Sequence, residues 1–89
     1  MGNPPVISYV PFDELIGSLR ADGLGQAADQ LHELIYKVAW TTGSELLGEL
    51  GGELKRLEKA QGARLSPETR VKLGKAFKMV RRVWPRFSR

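Results

Sequence analysis

The chain is 89 residues long, 42% hydrophobic and 27% charged, which fits one small globular domain and excludes wholesale disorder. It has no cysteine and one histidine, His32, which excludes disulfides, thiolate metal sites, a cysteine nucleophile and the two-histidine zinc motif. The net charge of +4 conceals a split: residues 1–50 carry seven acids against two bases, a net of −5, whereas residues 51–89 carry three acids against twelve bases, a net of +9. Such a split either attracts an anionic partner or draws the two halves of one bundle together.

The opening MGNPPVISYV has neither a basic segment nor a long apolar one, so no secretory leader is expected. No apolar run reaches the roughly 18 residues of a membrane span, and a cytoplasmic protein without an integral membrane segment is expected. Pro4 and Pro5 oppose helix, and Val6–Val10 is the one strand-like stretch. One short strand makes no sheet alone, so residues 1–10 are expected as an extended arm on the helices. A ribbon-helix-helix dimer would need base-reading side chains here, and only Ser8 and Tyr9 are offered.

Pro11 suits the first position of a helix and Asp13 and Glu14 suit its positive end. Phe12, Leu15, Ile16 and Leu19 follow at helical spacing, and Gly23 and Gly25 end the pattern. A second helix is expected over 24–39, with a stripe of Leu24, Ala27, Leu31, Leu34, Ile35 and Val38. Thr41, Thr42 and Gly43 break it, and Thr42 with Glu45 reads as a capping box. The third helix is expected over 44–61, with Leu46, Leu47, Leu50, Leu54 and Leu57 on one side. Gly48, Gly51 and Gly52 lie inside this helix and each costs about 1 kcal/mol relative to alanine. They imply close approach by another helix or a soft segment, and their side is one candidate contact for a homodimer. Ser66, Pro67 and Glu68 mark the start of a fourth helix that Pro85 stops near Trp84, with a stripe of Leu73, Ala76, Phe77, Val80, Val83 and Trp84. The expected architecture is therefore all-α, a small antiparallel bundle of three to four helices over 11–84, with a frayed basic tail over 85–89.

The stretch LHELIYKVAWTTGSELLGELG, residues 31–51, resembles a segment of small uncharacterised bacterial proteins grouped as a domain of unknown function. The resemblance implies a bacterial source and no particular activity.

Candidate chemistry is sparse. His32 has Asp29 at i−3, a pairing that orients a catalytic imidazole, but no nucleophile or ligand set accompanies it and a boundary histidine is the plainer reading. Glu45, Glu49 and Glu53 form a row on the third helix, read as a solvated acidic edge before a metal or acid–base site. Trp84 reads as core. Trp40 reads either as a cap over the junction of the second and third helices or as an exposed interface residue. The glycines lack the Walker and Rossmann patterns. No metal, cofactor or catalytic residue is expected.

The fourth helix carries the strongest signal. Lys72, Lys75, Lys78 and Arg82 fall opposite its apolar stripe, with Arg86 beyond its end. They are candidates for binding an anion or a partner, against the plain reading of a solvated face balanced by the acidic first half. The acidic start of the third helix argues against a helix-turn-helix. A non-catalytic docking protein with a protein partner (adaptor, regulatory or toxin-neutralising) is the first expectation. A nucleic-acid binder using the fourth helix is the second.

Overall fold

A computed structural model describes residues 7–38, 40 and 42–88. The expectations for residues 1–6, Ala39, Thr41 and Arg89 fall outside the described residues. Four α-helices, α1 (Val10–Ala21), α2 (Gly25–Tyr36), α3 (Gly43–Gln61) and α4 (Pro67–Val83), form an all-α bundle, with a 3-10 turn at Gly62–Arg64. Among the described residues there is no strand. Ile7–Tyr9 are non-helical and Val10 already belongs to α1, so the helix begins one residue before Pro11. The arm crosses the start of α3: a Cβ at Gly43 would lie 2.8 Å from Ile7 Cδ1.

Each helix end has a local cause. α1 closes with Gly23 at φ +79, a left-handed position that favours glycine. The Gly23 N–H donates to the Arg20 carbonyl and the Leu24 N–H to the Leu19 carbonyl, the paired bonds of a Schellman ending. α2 stops at Tyr36, three residues short of the expected end. The Val38 N–H goes to the Glu33 carbonyl, and the Leu34 carbonyl that a continuing helix would offer it accepts the Trp40 indole N–H instead. Val38, expected in the stripe, is consequently exposed. At α3 the Glu45 N–H donates to Thr42 Oγ1 at 3.1 Å, and at α4 the Thr69 N–H donates to Ser66 Oγ at 3.2 Å.

α1 packs on α2 and α4, and α3 packs on α2 and α4, closing a four-membered ring around the core. Cross-links fix the antiparallel senses. Tyr36 at the end of α2 donates its hydroxyl to both carboxylate oxygens of Asp13 at the start of α1, at 2.8 and 3.0 Å. Asp22 after α1 reaches Ser66 and Thr69 at the start of α4. Trp84 after α4 donates its indole N–H to the Ser44 carbonyl in the first turn of α3, at 2.8 Å. Phe12, Leu15, Leu19, Ala28, Leu47, Leu50, Leu54, Ala76, Phe77 and Val80 are wholly enclosed. Four of the expected stripes thus meet in one core, at about 1.5–3 kcal/mol for each large side chain buried.

Two expectations about the chain's end are corrected. Trp84 is not core: 46% of its surface is exposed. Pro85 removes it from the helix, its backbone turns to φ −121, ψ 80, and its side chain leaves the α4 stripe. Of the residues expected as a frayed tail, Phe87 returns to the core. The Phe87 N–H donates to the Trp84 carbonyl at 2.9 Å, a turn through Pro85 and Arg86 that folds Phe87 back against the core.

Candidate functional site

At 100° per residue, Val71, Lys75, Lys78 and Arg82 fall within an arc of about 60° on α4, opposite Leu73, Ala76 and Val80. All four are exposed. Lys75 and Arg82 lie seven residues apart, about 10 Å along the axis. Among the described residues, Lys75, Lys78 and Arg82 make no hydrogen bond or ion pair. Lys72 differs from the other expected cations. It sits at the edge of the strip with a quarter of its side chain exposed, and its Nζ lies 3.1 Å from Glu68 Oε1. Arg70 is spent on backbone, donating to the carbonyls of Leu65 and Gly62. Arg86 is exposed in the turn that follows Trp84.

The acidic half does not cover this strip. The ion pairs among the described residues are Arg20–Asp29, Arg56–Glu53 and Lys72–Glu68, and none joins an acid of residues 1–50 to a base of residues 51–89. Glu49 and Glu53 of the acidic row line a groove with α2 residues Gln30, Glu33 and Leu34, and Glu53 is held by Arg56 of the same helix. Asp29 is taken by Arg20 at 2.8 Å, while the His32 ring lies against Tyr36, centroids 4.8 Å apart. The histidine–carboxylate arrangement is thus not assembled. Trp40 is half-buried with its N–H on α2, so the capping alternative describes its place.

The glycines of α3 mark a second feature. A Cβ at Gly48 would lie 3.4 Å from Trp84 Nε1, and one at Gly51 would lie 2.6 Å from Phe87 Cε2 and 3.0 Å from Val80 Cγ1. Close approach is the reason for Gly51, where Phe87 of the chain's own C-terminal turn and Val80 of α4 both press on it, whereas a Cβ at Gly48 would make only ordinary van der Waals contact with the Trp84 ring. At Gly51 the side offered to a second copy thus carries the chain's own turn, while Gly52 meets only its own helix's Arg56. Phe87 stacks on Phe77, centroids 6.0 Å apart and planes 27° apart, with Lys55 Nζ 5.7 Å from its ring centroid. Sequence reasoning set Phe87 beside the basic surface but did not return it to Gly51, and it gave Lys55 no role. The available signal was a phenylalanine two residues beyond a helix-stopping proline, together with glycines at i and i+3 that needed a cover.

Among the described residues no helix is long and apolar enough to cross a membrane, and no three acidic or histidine side chains converge as a metal site. Comparison with known proteins finds no matching family model, curated protein or solved structure.

Proposed function

We propose that the chain is a non-catalytic docking protein whose α4 strip holds an acidic partner protein, in an adaptor, regulatory or toxin-neutralising role. One observation carries this reading: Lys75, Lys78 and Arg82 stand exposed on one strip with no acidic partner among the described residues. Cations that served only the fold would face acids of the first half. Val71, 60% exposed one turn before Lys75 on the same strip, adds apolar contact that an extended protein surface can use. A nucleic acid is the second reading, favoured by Arg86 beside the exposed Trp84 ring, a cation and a stacking platform together.

The test is binding of labelled polyglutamate and of a short DNA duplex, followed by anisotropy between about 50 and 200 mM salt. Polyglutamate should bind with affinity falling as salt rises, and K75E/K78E/R82E should abolish the binding. Tighter binding of the duplex, with a slope of roughly −2 to −3 in log affinity against log salt, selects the second reading. Binding of neither at low salt, or binding that the triple reversal leaves intact, overturns both.

A further inference from the structure

The C-terminal turn occupies the outer seam between α3 and α4 in the manner of a ligand. Its anchor is one aromatic ring. The floor beneath is Gly51, where a side chain would collide with that ring. Phe77 stacks on it from α4 and Lys55 stands over it from α3. The segment bearing the ring is joined to α4 by the single turn through Pro85 and Arg86. The turn does not fill the seam: a groove of about 590 Å³ remains, lined by Gly48, Trp84, Pro85, Arg86 and Phe87. The charges nearest the ring and the groove are cationic, Lys55 at the ring and Arg86 at the groove, while Glu58 lies farther along the seam beside Arg70 and Leu73.

From this we infer that the α3–α4 seam is a receptor for an aromatic side chain on an acidic peptide segment of the partner, and that Phe87 is its occupant in cis. Shape selects the aromatic ring, because the Gly51 floor and the Phe77 face accept a flat side chain. Charge selects the acidic flanks, because Lys55 and Arg86 favour carboxylates and repel basic segments. A cation over the ring strengthens the hold on an aromatic residue. The tail sets the threshold: a seat filled in cis is open in only a fraction of molecules, and the apparent affinity for a peptide falls by that fraction. The inference rests on the reading of the chain as a docking protein for an acidic polypeptide, but it uses a different surface from the α4 strip.

The experiment uses the full chain and a fluorescent peptide of glutamates around one central phenylalanine, with a second peptide carrying alanine there. Phe87→Ala should bind the phenylalanine peptide about tenfold tighter than the unmodified chain, since the cis competitor is gone. It should also prefer that peptide to the alanine peptide. Adding Gly51→Leu, which fills the seat, should remove both gains. Adding K75E/K78E/R82E instead should keep the preference for phenylalanine, even where overall affinity drops. If Phe87→Ala lowers helicity, Phe87→Leu reads the same ordering at smaller amplitude. Equal binding of the two peptides, or equal binding by the unmodified chain and Phe87→Ala, overturns the inference while leaving the α4 strip to its own test. Loss of the phenylalanine preference in the triple-reversal background overturns it too. Tighter Gly51-dependent binding of a single-stranded oligonucleotide reassigns the seat to a base and overturns the peptide assignment.

Discussion

Asp22 joins two helices through one oxygen. Its Oδ2 accepts the Ser66 backbone N–H at 3.0 Å and the Thr69 hydroxyl at 2.6 Å. Because Thr69 gives its proton to that carboxylate, the 2.9 Å contact between Ser66 Oγ and Thr69 Oγ1 has Ser66 as donor. Thr69 is wholly buried, so its hydroxyl depends on this chain of bonds. The Ser66 N–H, then the Thr69 hydroxyl, hold the Asp22 carboxyl below its ordinary pKa. A carboxylate whose folded value is depressed contributes stability that is complete above the unfolded value, about 3.9, and is lost as pH falls through the lower folded value. The melting-temperature gap between the unmodified chain and Asp22→Asn should therefore be constant from neutrality to about pH 5 and close below about pH 4. Thermal scans of both proteins along that series check it, and a gap that persists unchanged into strong acid would contradict it. Nothing local in the sequence pointed to this link. Asp22 lies 44 and 47 residues from its partners, and periodicity reports which face a residue occupies, not which distant hydroxyl it meets.

At the scale of the element, boundaries set by short-range chemistry were legible and those set by side chains from elsewhere were not. Ser66–Pro67–Glu68 predicted the start of α4 to the residue, and Gly23 predicted the end of α1. The end of α2 was misread because Trp40, from beyond the helix, takes a carbonyl the next turn needed. Trp84 was misplaced for a related reason: the apolar period continues through it while Pro85 ends the helix that gives the period meaning. The candidate site divides the same way. Lys75, Lys78 and Arg82 follow from helical phase alone, but the pairing of Lys72 with Glu68 and the return of Phe87 to Gly51 depend on side-chain geometry. The two hydroxyl caps give a graded prediction. Thr42→Ala removes one bond to an exposed N–H and should cost about 1 kcal/mol, a loss of roughly 4–8 °C for a domain of this size. Ser66→Ala removes a cap and also a donor to buried Thr69, so its loss should be larger. Calorimetry of the two variants decides it, and an equal or smaller loss for Ser66→Ala would separate the cap from the Asp22 network.

Across the whole molecule, the division between an acidic first half and a basic second half is not what closes the ring of helices. The core does that, with leucines, two phenylalanines and Val80 buried from all sides, while the ion pairs among the described residues stay within each half. Exposed pairs contribute about 0–1 kcal/mol each, and cations with no partner contribute less still. Reversing Lys75, Lys78 and Arg82 to glutamate changes the net charge by two at each of three sites, from +4 to −2. That change relieves repulsion among the twelve bases of the second half as much as it weakens any long-range attraction to the first. The melting temperature of the triple variant should accordingly stay within about 4 °C of the unmodified chain, the shift expected from less than about 1 kcal/mol. Helicity by circular dichroism should be unchanged, since all three side chains point away from Leu73, Ala76 and Val80. A drop beyond about 8 °C would mean that the strip is held by the acidic half through the field of the whole protein. In that case the loss of polyanion binding by the same variant would report unfolding and not a docking surface. Small loss of stability together with complete loss of binding is the combination that assigns the strip to a partner.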